Sequence, residues 1–185
     1  DIYCLANLPV DGSQWDHLFA DGEHFKIGSL DAHVMLSPGH TLASITYVVG
    51  DAAFVHDTLM MPDSGTSRAD FPGGDAHALW RSIRAILDLS PETSTYVGHD
   101  YGKDGREVIG RSTVADQRRD NIHVRDGIDE AEFVATREKR DASLPLPDLM
   151  LAALQVNIRG GRLPDAEACG TAFLKVPLNR FGPIK

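Results

Sequence analysis

The 185-residue chain carries 18 basic and 27 acidic residues, a formal net charge of -9, with 42% hydrophobic and 24% charged residues. That length and balance fit one globular domain and exclude a disordered, collagen-like or coiled-coil chain. An acidic chain gains nothing from phosphate counterion release, which argues against nucleic acid as a partner, and no apolar run approaches the roughly 18 residues of a membrane span.

The start, DIYCLANLPVDG, shows neither the basic nor the apolar region of a secretory signal. Cys4 and Cys169 are the only cysteines, too few and too far apart for a disulfide framework, so a reducing cytoplasm is expected.

The first thirty residues read as polar loop, punctuated by Pro9, Gly12, Gly22 and Gly28. Ala32–Leu36 predicts a short strand stopped by Ser37-Pro38-Gly39, and Ser44–Val49 is β-branched and aromatic, as strands prefer. Gly50-Asp51 before Ala53–His56 predicts a hairpin. Residues 62–74 form a thirteen-residue loop, long enough to expect a functional role.

Asp75 is a predicted N-cap. Leu79, Ile83, Ile86 and Leu87 recur at helical spacing, so 76–88 is expected to be an amphipathic helix. Ser94–Val97 predicts a strand ending in Gly98-His99-Asp100-Tyr101, followed by a loop over 102–111. A helix is expected to open at Ser112–Arg119. Asp129 with Glu132 predicts a capping box for a helix over 130–140, and Pro147 fits a first helical position for 148–154. The last thirty residues, including TAFLKVPL, read as extended.

Three of these positions carry the chemistry. His40, Asp57 and His99 each follow directly on a predicted strand, so strand ends could deliver them to one point. Imidazole and carboxylate donors suit Zn(II) or Fe(II), and two histidines with one carboxylate suit oxygen chemistry at iron. The bland alternative is that each histidine is an ordinary surface or hydrogen-bonding residue. None of the eight histidines lies two residues from another, and there is no Cys-x-x-Cys pair.

The words SPGHT, HDT and GHDY in this order resemble the later half of the metallo-β-lactamase superfamily. DTLMMPDSGTSRADFPGGDAHALWRSI, STVADQRRDNIHVRDGIDEAEFVATREKRD and QVNIRGGRLP are similar to the persulfide (sulfur) dioxygenases, relatives of glyoxalase II, in their bacterial hydrolase-like branch. The resemblance implies an α/β fold, an αββα sandwich incomplete at its N-terminal side. It implies a single domain over 1–185 with a family-specific extension from about residue 112. The family's HxHxDH motif is absent from the chain, and the expectation is that these residues are the C-terminal portion of the fold. An open sheet face then predicts a homodimer.

The resemblance further implies one Fe(II) per chain, with His40 and Asp57 as ligands and His99 at the position of a second metal or beside the first. The implied substrates are dioxygen and glutathione persulfide, or another small thiol-derived compound, giving sulfite and glutathione. Tyr101, Arg68 and Arg118 are the candidate substrate-binding residues, with Asp70 and Asp100 supporting them. For Arg68 and Asp70 the alternative is an ion pair pinning the long loop, and for Arg118 a solvated helix charge. His56 stands where the family usually has glycine, and its ring is expected to crowd the metal loop. Two alternatives stand beside the dioxygenase. One is a glyoxalase II-like thioester hydrolase with two Zn(II), and the other is a metal-free fragment or interaction module.

Overall fold

Runs of β-branched and aromatic residues separated by glycine turns build most of one sheet. The computed structural model describes residues 8, 9 and 11–177. Its strands are β1 (His24–Ile27), β2 (Leu30–Leu36), β3 (Ile45–Val49), β4 (Ala52–His56), β5 (Ser94–Val97) and β6 (Arg111–Thr113). They lie side by side in chain order, antiparallel throughout except for the parallel β4–β5 pair. A parallel pair needs a crossover, and α1 (Ala76–Leu87) supplies it. The chain continues through α2 (Val114–Asp120), α3 (Glu130–Asp141) and α4 (Met150–Asn157).

Two compact units make up the chain, one over Phe19–Leu144 and the other from the described residues of 1–18 and 145–185. The larger unit holds the sheet and α1–α3. Alternation along β4 turns Ala53 and Val55 inward and leaves Phe54 and His56 exposed. The inward residues join Leu79, Ile83, Ile86 and Leu87 of α1 with Val114 of α2 and Phe133 of α3 in one core. Full burial of Leu79 or Ile83 contributes about 2 kcal/mol each. On the other face Phe54 stacks on its register partner Tyr96, ring centroids 5.1 Å apart.

Asp75 caps α1 through Ala78 N, as expected, while Asp129 caps α3 through Glu132 N alone, without the return bond from the Glu132 side chain that a capping box requires. The first thirty residues are not all loop, because β1 pairs with β2 through a tight turn at Gly28. The helix expected at Ser112 begins at Val114, since Arg111–Thr113 first pair with β5 and Thr113 then caps α2. In the smaller unit α4 starts at Met150 with Leu149 as N-cap, three residues beyond Pro147. Gln155 ties α4 to residue 175, exchanging bonds of 2.9 and 2.8 Å with the Lys175 backbone. Residues 171–177 form no strand, Cys169 is exposed, and Cys4 and Leu178 lie outside the described residues. No helix among the described residues is long and apolar enough to cross a membrane.

Candidate metal site

The turn after β2 is pressed onto α1. Asp75 N donates to Gly39 O at 2.9 Å, and the Ser82 hydroxyl to Pro38 O at 2.7 Å. Gly39 has φ +133, and a Cβ there would lie 2.3 Å from Leu79 Cα, so only glycine fits this approach. The turn thereby fixes His40. Its Nδ1 lies 2.7 Å from Arg68 O, a carbonyl, so Nδ1–H donates, and in the neutral ring Nε2 carries the lone pair. That Nε2 lies 3.9 Å from Asp57 Oδ2.

Asp57 follows β4 through an irregularity. The β4–β5 register shifts between Phe54 and His56, and His56 sits at φ +52. Across from Asp57, His99 Nδ1 approaches Oδ1 to 2.8 Å and donates its proton. Gly98 permits the approach, because a Cβ there would stand 2.6 Å from Asp57 Oδ1. Asp57 thus lies between the two histidines. His40 and Asp57 are largely enclosed, at 10% and 15% side-chain exposure, while His99 is open at 57%. Tyr101 is exposed and stacks on the His99 ring at 5.8 Å.

The long loop is held from several sides. Ser67 donates its hydroxyl proton to Asp57 O. Gln117 donates to Met60 O at 2.9 Å, and Asn121 to Gly65 O at 3.0 Å. Arg137 and Asp141 of α3, a buried pair, reach Thr66 O and Ala69 N. Arg106 bridges Asp63 and Asp100 and so joins this loop to the one after His99. The Asp100 side chain is enclosed, and the Arg106 guanidinium together with three backbone N–H groups holds its carboxyl far below the usual range.

Sequence reasoning missed Arg106, Gln117, Asn121, Arg137 and Asp141. Only Arg137 and Asp141 carry a local sign, opposite charges four residues apart on one helix.

Among the other expected residues, Arg68 and Asp70 form a two-bond ion pair at 2.6 and 2.7 Å. The Arg68 guanidinium lies over the Phe71 ring at 4.9 Å, and that ring packs 5.0 Å from His40. Arg118 binds Asp126 on a half-exposed surface. His56 is exposed, beside Thr41, Tyr47, Phe54 and Tyr96 in a cavity of about 380 Å³, with its ring 6.2 Å from that of His40. Its burden is therefore borne by the backbone and not by a crowded loop interior. His56→Gly is expected to stabilise the chain by about 1 kcal/mol, a rise of roughly 2–4 °C in Tm by calorimetry. A fall in Tm would contradict that account.

The donor chemistry suits a transition metal, but the set is short. Two donors at about 2.1 Å from one ion stand roughly 3–3.4 Å apart, so His40 and Asp57, at 3.9 Å, need to close by roughly 0.5–0.9 Å. His99 spends its Nδ1 on Asp57 itself. Among the described residues no group of three His, Cys, Asp or Glu side chains is arranged to hold a metal ion.

No family model matches the chain. It is 60% identical over 179 residues to the Beta-lactamase hydrolase-like protein of Xylella fastidiosa, covering 97% of this chain and 41% of that protein. Glyoxylase B2 of Dictyostelium discoideum is 47% identical, covering 96% of the chain and 62% of its own length. The mitochondrial persulfide dioxygenase ETHE1 of Bos taurus is 32% identical, with 82% and 57% covered. The chain thus spans about two fifths to three fifths of these relatives. The crystal structure of ETHE1 from Myxococcus xanthus superposes with a TM-score of 0.69 at 35% identity, covering 78% of this chain and 60% of that one. A metallo-β-lactamase from Staphylococcus aureus, at 22% identity, has the same fold with a TM-score of 0.62 over 78% of this chain and 42% of its own. The chain belongs to the metallo-β-lactamase superfamily, with persulfide dioxygenase and glyoxalase-like homologues.

Proposed function

We propose that the chain is part of an iron-dependent persulfide dioxygenase acting on glutathione persulfide or another small thiol-derived persulfide. The observation that carries this reading is the His40–Asp57 arrangement. His40 spends Nδ1 on the Arg68 carbonyl and turns Nε2 toward Asp57 Oδ2, 3.9 Å away. A metal-binding histidine characteristically donates its other ring N–H to a carbonyl or carboxylate in this way.

In the overall reaction one persulfide, one dioxygen and one water give thiol, sulfite and two protons. The outer sulfur is oxidised, dioxygen is reduced, and the inner sulfur leaves as the thiol. What Fe(II) supplies when bound is a common meeting point for the persulfide sulfur and dioxygen. The chain's own residues hold and orient. His40 and Asp57 are two of the metal donors, and His99 fixes the Asp57 carboxylate. Tyr101, exposed beside His99, offers its phenol to the peptide part of the substrate. Arg68, braced by Asp70, flanks His40, and Arg118 exchanges Asp126 for a substrate carboxylate. Asp100 keeps the loop behind His99 in place through Arg106.

Protein purified without oxygen is expected to hold about one iron per chain, and Asp57→Ala to lose at least about 90% of it together with sulfite formation. Iron and activity retained in that variant would end the proposal. A second reading draws on the 47% identity to glyoxylase B2 and on Asp57 touching both histidines. Asp57 and His99 would then help to hold two Zn(II), which would supply an activated water for thioester hydrolysis. About two zinc per chain and thioester cleavage would favour it over the dioxygenase.

A further inference from the structure

We infer that Asp141 and Arg137 are positioning residues for His40, acting through the single peptide group between Arg68 and Ala69. This rests on the reading of His40 as a metal donor. Arg68 O accepts from His40 Nδ1–H at 2.7 Å, and Ala69 N–H donates to Asp141 Oδ2 at 2.8 Å. That carbonyl and that N–H are the two ends of one planar amide. The sequence carboxylate, peptide, imidazole is therefore continuous: Asp141 draws on the N–H, the amide polarises, and Arg68 O becomes a stronger acceptor for the His40 proton. In many metal sites a carboxylate bonds the histidine directly, and here a peptide group stands between them.

The supporting residues fit that task. Asp141 Oδ1 takes two bonds from Arg137, at 2.9 and 2.6 Å, and Arg137 Nη1 donates to Thr66 O at 3.0 Å. The two side chains are 2% and 6% exposed. Burying such a pair costs desolvation, and apolar residues of similar volume often serve stability as well or better. Its bonds go to both ends of residues 66–69. Within that strip Ser67 holds the Asp57 carbonyl and Arg68 holds the His40 ring. The clamp thus bears on both proposed donors at once.

The test reads the His40 tautomer by long-range proton–nitrogen NMR and, separately, Zn(II) affinity by calorimetry, on the full protein. Metal-free wild type is expected to show one His40 tautomer, Nδ1–H with Nε2 unprotonated. A dominant Nε2–H form there overturns the inference whatever the variants do. Asp141→Asn removes the charge and leaves one acceptor oxygen, which can serve Ala69 N–H only by turning the amide N–H₂ toward Arg137. It is expected to give a mixture of tautomers and to weaken Zn(II) binding about 10-fold. Ile83→Val, a fully buried core change, serves as a control that lowers stability and leaves both readouts unchanged. An Asp141→Asn protein with wild-type tautomer and affinity, or a control that shifts them equally, removes Asp141 from the role. Absence of Zn(II) binding in wild type counts against the metal reading, while the tautomer result tests the peptide relay independently.

Discussion

Gly39→Ala is expected to destabilise the chain by about 4 kcal/mol, a large share of the roughly 5–15 kcal/mol that holds a typical domain together. Two costs combine. Gly39 sits at φ +133, where an L side chain is strained by about 1–3 kcal/mol. The new methyl would also lie 2.3 Å from both Leu79 N and Leu79 Cα, backbone atoms of α1 that cannot rotate aside. Overpacking a close contact typically adds about 1–3 kcal/mol. Relief requires the turn to lift from the helix, breaking Asp75 N to Gly39 O and withdrawing His40 from Asp57. Gly50 provides the comparison. It also has positive φ, at +59, but its missing side chain points into open space, so Gly50→Ala should cost only about 1 kcal/mol. Urea unfolding of the two variants separates the terms. Equal losses would show that the approach to α1 is not as tight as described.

The contrast between these glycines reflects what the sequence could disclose. Strand β5 was legible to the residue, and β3, β4 and α1 to within one residue at each end, because apolar spacing and β-branching act locally. Strand β1 was not legible. HFKI, with Lys26 and His24 inside it, has no convincing alternation, and it becomes a strand by pairing His24 with His33 and Ile27 with Leu30. His40, Asp57 and His99 could be singled out because each lies in the turn that follows a strand, and the fold brings the three side chains together. Their mutual distances were not foreseeable from that, nor was the enclosure of Asp57 between two histidines. The residues holding the loops were invisible for a stronger reason. Arg106 meets Asp63 across 43 residues and Arg137 meets Thr66 across 71, and no periodicity encodes such pairings. The family-like words over 112–141 contain Gln117, Asn121, His123, Arg137 and Asp141, so their physical content is largely the fastening of residues 60–69.

One of those fastenings makes stability depend on pH below neutrality. His123 is buried, and its Nδ1 accepts the Thr66 N–H at 3.1 Å. Burial, reinforced by the charges of Arg137, Arg140 and Lys103, holds its pKa down to about 4, and Asp141 only partly offsets this. In the unfolded chain the imidazole takes its proton near pH 6.5. Above that pH both states are neutral and the residue contributes nothing to the pH dependence. As the pH falls from 6.5 toward 4 the unfolded state binds a proton that the folded state refuses, so stability drops. The loss reaches about 2 kcal/mol at pH 5 and levels at about 3 kcal/mol once the folded form also protonates. The carboxyls held low by arginine, Asp63, Asp70 and Asp100, shed their stabilisation mostly at lower pH, as the unfolded carboxylates begin to protonate. Urea unfolding between pH 7 and pH 5, with and without the His123 imidazole, therefore reads its contribution. His123→Asn places an amide oxygen near the Nδ1 position, keeps an acceptor for Thr66, and cannot titrate. It is expected to flatten most of the fall, and an unchanged slope in that variant would assign the acid sensitivity to another group.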